Sequence, residues 1–341
     1  MTTPVKIDVA VVGAASLIGA AVIEELRTMK FPYGQIFRLE ELRDVGRLGE
    51  DEEAEPALDV EQFDFTRVKL AFFCGRAEVS QRFAREASAH AWVIDGTSAF
   101  REASDIALVA ADVNPQALLG FGTHGLISLP GSASLALALA LAPLHAVAGV
   151  TRIDVATYHC VSGAGRGALE ELAREAAALL NGQEPKVRIG GSRIAFNVIP
   201  QVDAVDAESG ETHEERRMRI ETQRLLGVPG LPVNVTAVRV PVFFGHGLAV
   251  HAAFSEEITL ETAVARLRAA PGVQVMEAAD RPPFPTPASK SQDPDKVYVG
   301  RLRRDSTRTR SLNLWVVADN VRKCAAINAV QVAHILVNAY C

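Results

Sequence analysis

The segment from Ile7 to Met29 restricts the chain more than any other. Ile7 to Val12 is an almost unbroken apolar run that ends at Gly13. Such a run suits a strand buried on both faces, as in a parallel sheet. From Leu17 the period changes: Ile18, Val22, Leu26 and Met29 recur at the spacing of an amphipathic helix. Two more short apolar runs, Leu70 to Gly75 and Trp92 to Asp95, read as further buried strands. Strand, helix and strand in alternation predict an α/β chain with a Rossmann-type, doubly wound parallel sheet. At 341 residues there is room for about two domains.

Composition narrows the class. Hydrophobic residues make up 48% and charged residues 22%, within the globular range. A net charge of −6 without any Lys/Arg block argues against a nucleic-acid partner held through phosphates. The longest apolar stretch, Ala133 to Ala142, stops at Pro143 and is too short to cross a bilayer. No charged segment followed by an apolar core opens the sequence, so neither a membrane partner nor a secretion signal is expected. Cys74, Cys160, Cys324 and Cys341 are scattered, with no Cys-x-x-Cys spacing. This argues against a bound metal and a disulfide framework and fits the cytoplasm. Leu and Ala alternate through Ala133–Ala142 as in a strand, yet both are strong helix formers. The reading favoured is a helix buried on all sides, beginning after Pro130-Gly131 and stopping before Pro143. The acidic run Glu50 to Glu55 and the segment Arg281 to Lys296, with its five prolines, read as surface loops without chemistry.

Gly13-Ala-Ala-Ser-Leu-Ile-Gly19 occupies the strand-to-helix turn where a dinucleotide fingerprint belongs. A helix N-terminus there offers N–H groups and a positive dipole end to a pyrophosphate. Gly13, Ala14, Ser16, Leu17 and Ile18 are the candidate cofactor contacts, with Ser16 where glycine often gives backbone room. The competing reading is a plain βα turn that needs Gly13 for a positive φ. Further on come Glu40, Glu41, Arg43 and Arg47. An acidic residue favours a ribose 2′-hydroxyl and an arginine a 2′-phosphate, so NAD and NADP both stay open.

Along most of its length the chain resembles the aspartate-semialdehyde dehydrogenase family. The blocks that carry the resemblance are Asp95-Gly-Thr-Ser-Ala-Phe-Arg101, Asp112-Val-Asn114, Thr157-Tyr158 with Val161-Ser-Gly-Ala-Gly165, and Phe196-Asn-Val-Ile-Pro200. Glu214-Glu215 with Met218 and Glu221-Thr222, Arg239 to His246, Tyr298-Val-Gly-Arg301, and Asp319-Asn320 leading into Asn328-Ala-Val-Gln331 follow in the family's order. The resemblance implies a Rossmann domain over residues 1–132, completed by a helix in 320–341. It also implies an α+β catalytic and dimerisation domain over 133–319, a homodimer, and an NAD(P)-dependent reaction on a small anionic ligand derived from an amino acid. Such enzymes make or consume an acyl phosphate through a cysteine thioester and hydride transfer to or from the nicotinamide. Ser162, Gly163, Ala164 and Asn320 fall in blocks that the family uses to hold its cofactor.

The departures fall on the reacting centre. The family's nucleophile block reads Asn-Pro-Asn-Cys-Ser-Thr; here Leu129-Pro-Gly-Ser-Ala-Ser134 places Ser132 at the cysteine position. A family glutamine is His159, and a family lysine is Arg217. An alcohol needs a well-placed base to become a nucleophile, whereas a thiol at a helix N-terminus is partly ionised. Little or no dehydrogenase turnover by the thioester route is therefore expected, as in the Usg-type group of the family. The alternatives are an active semialdehyde or acyl-phosphate oxidoreductase, or an enzyme like N-acetyl-glutamyl-phosphate reductase, whose block also has Pro-Gly. Ser132 reads as a helix N-cap in preference to a nucleophile, and Cys160 is a remote substitute for the missing thiol. His246 resembles the general base; on one regular strand it would point away from Arg239, unless Gly245 and Gly247 bend the chain. The resemblance assigns Arg239 to a substrate carboxylate, Arg101 to phosphate, Glu214 to an ammonium and Arg217 to phosphate. Glu214 and Arg217 are neighbours on one helix face, and Thr212 with Glu215 forms a capping-box pattern. His159 reads as a hydrogen-bonding stand-in for glutamine, with a base for Ser132 as the other possibility.

Overall fold

A computed structural model describes residues 6–41, 56–187, 191–277, 279–280, 282–289 and 293–340. The Glu50–Glu55 run, Arg43, Arg47 and Cys341 lie outside the described residues. The chain divides into two units, residues 1–131 with 325–341, and residues 132–324.

The first unit contains β1 (Ile7–Val12), α1 (Leu17–Thr28), β2 (Tyr33–Glu40), β3 (Leu58–Asp59), β4 (Leu70–Phe73), α2 (Ala77–Ala87), β5 (Trp92–Asp95), β6 (Ala107–Leu108) and β7 (Gly125–Ser128). The strands form one parallel sheet in the order β3-β2-β1-β4-β5-β7-β6. The nearly unbroken apolar runs have a simple cause: alternate residues serve two cores. Val9, Val11, Leu70, Phe72 and Ile94 pack with Val22 and Leu26 of α1 and with Val330, Ala333 and Leu336 of the C-terminal helix Asn328–Tyr340. Ala10, Val12, Ala71, Phe73 and Val93 pack on the opposite face with Val79, Ala84 and Ala87 of α2. This is the doubly wound sheet expected from the sequence.

The second unit contains α3 (Ser132–Ala148), β8 (Val150–His159), α4 (Arg166–Leu180), α5 (His213–Leu226), β9 (Val233–Arg239), β10 (His246–Phe254), α6 (Leu260–Ala269), β11 (Val273–Val275), β12 (Val297–Arg304) and β13 (Ser311–Ala318). Its mixed sheet runs β11-β12-β13-β10-β8-β9. β8 lies between β9, parallel to it, and β10, antiparallel to it. α3 is buried from Ala133 to Leu141. It does not stop before Pro143, as its sequence suggests, but continues through it to Ala148. Leu144 is fully buried. Its burial contributes about 1.5–3 kcal/mol, enough to offset half or more of the roughly 3 kcal/mol that a mid-helix proline costs.

The five-proline segment also departs from expectation. Pro285 is buried, its carbonyl accepts the Trp315 indole N–H at 2.9 Å, and Pro287 packs against Gly245. The aromatic ring and the close-packed glycine give this segment apolar surface to cover that its own composition does not reveal.

The turn after β1 admits no side chain at two positions. A Cβ at Gly13 (φ +81°) would lie 2.5 Å from Gly75 Cα, and one at Gly19 would lie 2.1 Å from the Gly13 carbonyl oxygen. Gly19 thus sets how closely α1 approaches β1. Gly19→Ala is expected to destabilise the fold by about 1–3 kcal/mol, through forced separation of backbone. Urea unfolding checks this, and an unchanged midpoint would refute it.

Candidate active site

Three strand ends build the core of the site. β8 ends at His159, β9 ends at Arg239 beside it in register, and β10 begins at His246, next to the residue that pairs with Tyr158. Arg239 and His246 are therefore not on one strand, as their spacing suggests. A turn between them, with Gly245 at φ +85°, carries the chain past β8, and the sheet returns both to the same end. The His159 and His246 rings are 4.6 Å apart between centroids. A Cβ on Gly245 would lie 3.1 Å from Pro287 Cβ, so position 245 is tight for a side chain and its φ favours glycine.

Ser132 completes the row. It is the first residue of α3 rather than the residue before it, so the N-cap expectation fails. Its hydroxyl lies 2.9 Å from His246 Nε2. On the other side of that ring, Nδ1 accepts the backbone N–H of Cys160 at 3.2 Å. A nitrogen that accepts carries no proton, so the neutral ring holds its proton on Nε2 and donates it to Ser132. Burial and the neighbouring His159 hold the His246 imidazole well below its ordinary protonation range; Glu214 opposes this.

Cys160 gives its backbone N–H to His246 and turns its sulfur to Ser162 and Asn320. The thiol lies 3.1 Å from Asn320 Oδ1 and 3.2 Å from Ser162 Oγ, and burial raises its pKa. Asn320 also accepts the Gly245 N–H at 3.0 Å and donates to Ser162 Oγ at 3.0 Å. Ser162 and Asn320 are thus bonded to each other and hold the Val161–Ala164 turn in place. A Cβ on Gly163 would lie 3.5 Å from Arg239 Nη1 and 3.7 Å from His246 Cε1. Ala164 ends the same turn.

α5 supplies the charged side. Thr212 caps it in a full capping box with Glu215, whose other oxygen accepts the Ala237 N–H of β9 at 2.8 Å. That bond ties the helix to the strand carrying Arg239. Arg217 pairs with Glu214 at 3.1 Å and also with Asp203. Asp203 was not legible from spacing, because it sits on a loop before the helix and not at a helical spacing from Arg217, at φ +72°. Arg239 Nη1 donates to the Cys160 carbonyl at 2.7 Å. His159 Nε2 and Arg217 Nε are buried and have no hydrogen-bond partner among the described residues.

In the first unit, Ser16 is the N-cap of α1: its hydroxyl accepts the Gly19 N–H at 2.9 Å and donates to the Cys74 carbonyl at 2.9 Å. Leu17 and Ile18 open the helix, where N–H groups have no intrahelical acceptor and the dipole is positive. With Ala14 buried and the Gly13–Gly75 approach leaving no room for side chains, the turn fits a dinucleotide phosphate. Arg101 also lies in this unit and donates to the Gly96 and Leu129 carbonyls at 2.9 and 3.1 Å.

The buried histidines have a pH consequence. His159 is pushed down to about 3 by burial and by Arg239. Unfolding releases it to titrate near 6.5, so the unfolded chain binds more protons between those values. Its neutral burial leaves stability intact above pH 6.5 and lowers it as pH falls through that window. His159→Gln is expected to reduce the loss by up to about 1.4 kcal/mol per pH unit relative to wild type. Urea unfolding at pH 7 and pH 5 measures this, and identical slopes would contradict it.

The family description "Semialdehyde dehydrogenase, NAD binding domain" matches residues 8–120, and "Semialdehyde dehydrogenase, dimerisation domain" matches residues 141–323. The chain is 39% identical over 337 residues to an aspartate-semialdehyde dehydrogenase of Shewanella sp. (strain DB6705), covering 98% of this chain and 99% of that one. It is 37% identical over 335 residues to a USG-1 protein homolog of Pseudomonas aeruginosa, covering 98% of each. Among solved structures, aspartate semialdehyde dehydrogenase II of Vibrio cholerae, also solved complexed with ASA, superposes with a TM-score of 0.93 at 39% identity. That match covers 99% of this chain and 100% of the other. The first unit is an NAD(P)-binding domain, and no described helix is long and apolar enough to cross a membrane. With both family descriptions matched and such identity over nearly its whole length, the chain belongs to the aspartate-semialdehyde dehydrogenase family.

Proposed function

We propose that this chain, as a homodimer, binds NAD(P) and a small anionic ligand of the aspartate-semialdehyde type, and turns that ligand over little or not at all by the thioester route. The observation that carries this reading is the pairing of Ser132 Oγ with His246 Nε2 at 2.9 Å. Because the Cys160 N–H occupies Nδ1, His246 is a donor toward Ser132 and has no lone pair there to take the hydroxyl proton. For a thiol the same arrangement helps, since a thiolate forms by losing its proton to solvent and then accepts the Nε2–H. For an alcohol the same donor leaves the oxygen unactivated. Among the described residues, the group on His246 Nδ1 is the Cys160 N–H and not the carboxylate that a serine triad requires to reverse the tautomer.

The remaining residues serve binding. Arg239 offers a planar fork suited to a carboxylate, and Glu214 a negative charge suited to an ammonium. Arg217 keeps a buried, unpartnered Nε–H that a ligand acceptor could take, while its Nη2 holds Glu214 and Asp203. In the first unit, Gly13, Ala14, Leu17 and Ile18 would hold the cofactor phosphates. Nicotinamide, when bound, supplies a hydride acceptor or donor.

A second reading is an active NAD(P)-dependent oxidoreductase acting on aspartate semialdehyde. It is favoured by the names of relatives 38–40% identical over nearly the whole chain, which support activity more directly than they support its loss. One assay separates the two: phosphate-dependent reduction of nicotinamide cofactor with aspartate semialdehyde. The first reading expects wild-type turnover far below the roughly 10 s⁻¹ typical of enzymes. It also expects a gain on the order of 10²-fold or more in Ser132→Cys. Wild-type turnover at ordinary enzyme rates would establish the second reading. A folded Ser132→Cys without gain would place the block elsewhere, at His159 or Gly131.

A further inference from the structure

We infer that Glu175 is a positioning residue for Arg239: its carboxylate holds the backbone of Ile194 and Ala195, and through that segment fixes where Arg239 meets a ligand. The inference rests on the proposed reading of Arg239 as the group that receives the ligand's carboxylate. β9 lies at the end of its sheet, with β8 on one side only. Its outward N–H and C=O groups therefore need partners from outside the sheet. At Ala237 that partner is Glu215 of α5. At Arg239 it is a loop residue, Ile199. The Arg239 N–H donates to the Ile199 carbonyl at 2.8 Å, and the Ile199 N–H donates to the Arg239 carbonyl at 3.0 Å. A loop residue is only as fixed as the segment that carries it.

That segment is anchored from α4. Glu175 is fully buried, and its Oε2 accepts the Ile194 N–H at 2.8 Å and the Ala195 N–H at 2.9 Å. Its Oε1 has no hydrogen-bond partner among the described residues. A buried carboxylate is costly unless it is hydrogen-bonded, and both bonds this one makes go to the segment before Ile199. Ile194 and Ala195 pack with Ala168 and Leu172 of α4 and with Val161, and Ile199 packs against the same cluster. Between the two anchors stands Phe196, at φ +54° and 63% exposed. A bulky residue in that conformation is held by its neighbours and not by its own preference. Arg239 Nη1 in turn donates to the Cys160 carbonyl at 2.7 Å, so the guanidinium is set by the backbone on both sides of it.

Isothermal titration of the full-length protein with aspartate semialdehyde, without nicotinamide cofactor, reads ligand affinity apart from any hydride transfer. Glu175→Ala removes both bonds. It is expected to weaken binding about tenfold or more, at a temperature where circular dichroism shows the variant folded. Glu175→Gln keeps an oxygen that accepts both N–H groups and is expected to bind within about threefold of wild type. Amide hydrogen exchange at Ile199 and Arg239, measured alongside, is expected to quicken in Glu175→Ala and not in Glu175→Gln. If Glu175→Ala does not fold, Glu175→Asp, one methylene short of the segment, takes its place with the same expected losses. Wild-type affinity in the folded truncated variant would overturn the inference. So would a loss in Glu175→Gln as large as in that variant. Absence of binding to wild type would instead remove the ligand reading, and the exchange rates alone would then decide: unchanged rates at Ile199 and Arg239 in the truncated variant overturn the inference, and faster rates uphold it.

Discussion

The hydrogen bond from the Cys160 N–H to His246 Nδ1 governs the chemistry open to this site. Its donor is backbone, at the end of β8, and so cannot rotate away. Reversing the imidazole tautomer would set two N–H groups against each other in a buried place, where one lost hydrogen bond costs about 1–3 kcal/mol. Protonating the ring is opposed by burial and by His159. Both escapes are closed, and His246 is left presenting a donor to position 132. What stands at that position decides what the donor is worth. An anion gains from it, whereas a neutral hydroxyl acquires only an ordinary hydrogen bond.

Most of the first unit was legible because its physics is local and repetitive. The runs Ile7–Val12, Leu70–Phe73 and Trp92–Asp95 feed two separate cores by alternation, and only a strand covered on both faces needs that composition. The helical period from Leu17 gave α1 for the same reason. α3 was legible in kind but not in extent. Pro143 is a strong local signal, and it was overridden by the burial of Leu144, which depends on elements far away in sequence.

The site was legible where its residues are near one another along the chain. Glu214 with Arg217, and Thr212 with Glu215, are helix neighbours, and spacing alone brings them together. Arg239 and His246 were harder. Seven positions apart, they invite a single-strand reading, and only the placement of β8 between β9 and β10 shows why they share an end of the sheet. Asp203 left no trace in spacing, because its partner Arg217 belongs to another element. The Cys160 N–H left none at all. Every residue other than proline has such a group, and only the fold says which one meets a histidine.

The network around His246 is nearly self-satisfied. Asn320, Ser162, Cys160, Gly245 and Arg239 spend their polar atoms on one another. His159 Nε2 and Arg217 Nε stand apart from that economy, buried and unpartnered. Each unfilled atom of this kind costs about 1–3 kcal/mol, more than a typical surface interaction returns. A ligand bearing carboxylate or carbonyl oxygen would recover that cost at Arg217 Nε whether or not any bond in it were later broken. On the proposed reading, ligand binding and turnover rest on different atoms: the first on the imidazole and guanidinium nitrogens, the second on a single oxygen at the head of α3. A change at position 132 alters the chemistry without touching the binding groups, so retained affinity and lost catalysis are physically compatible in one fold.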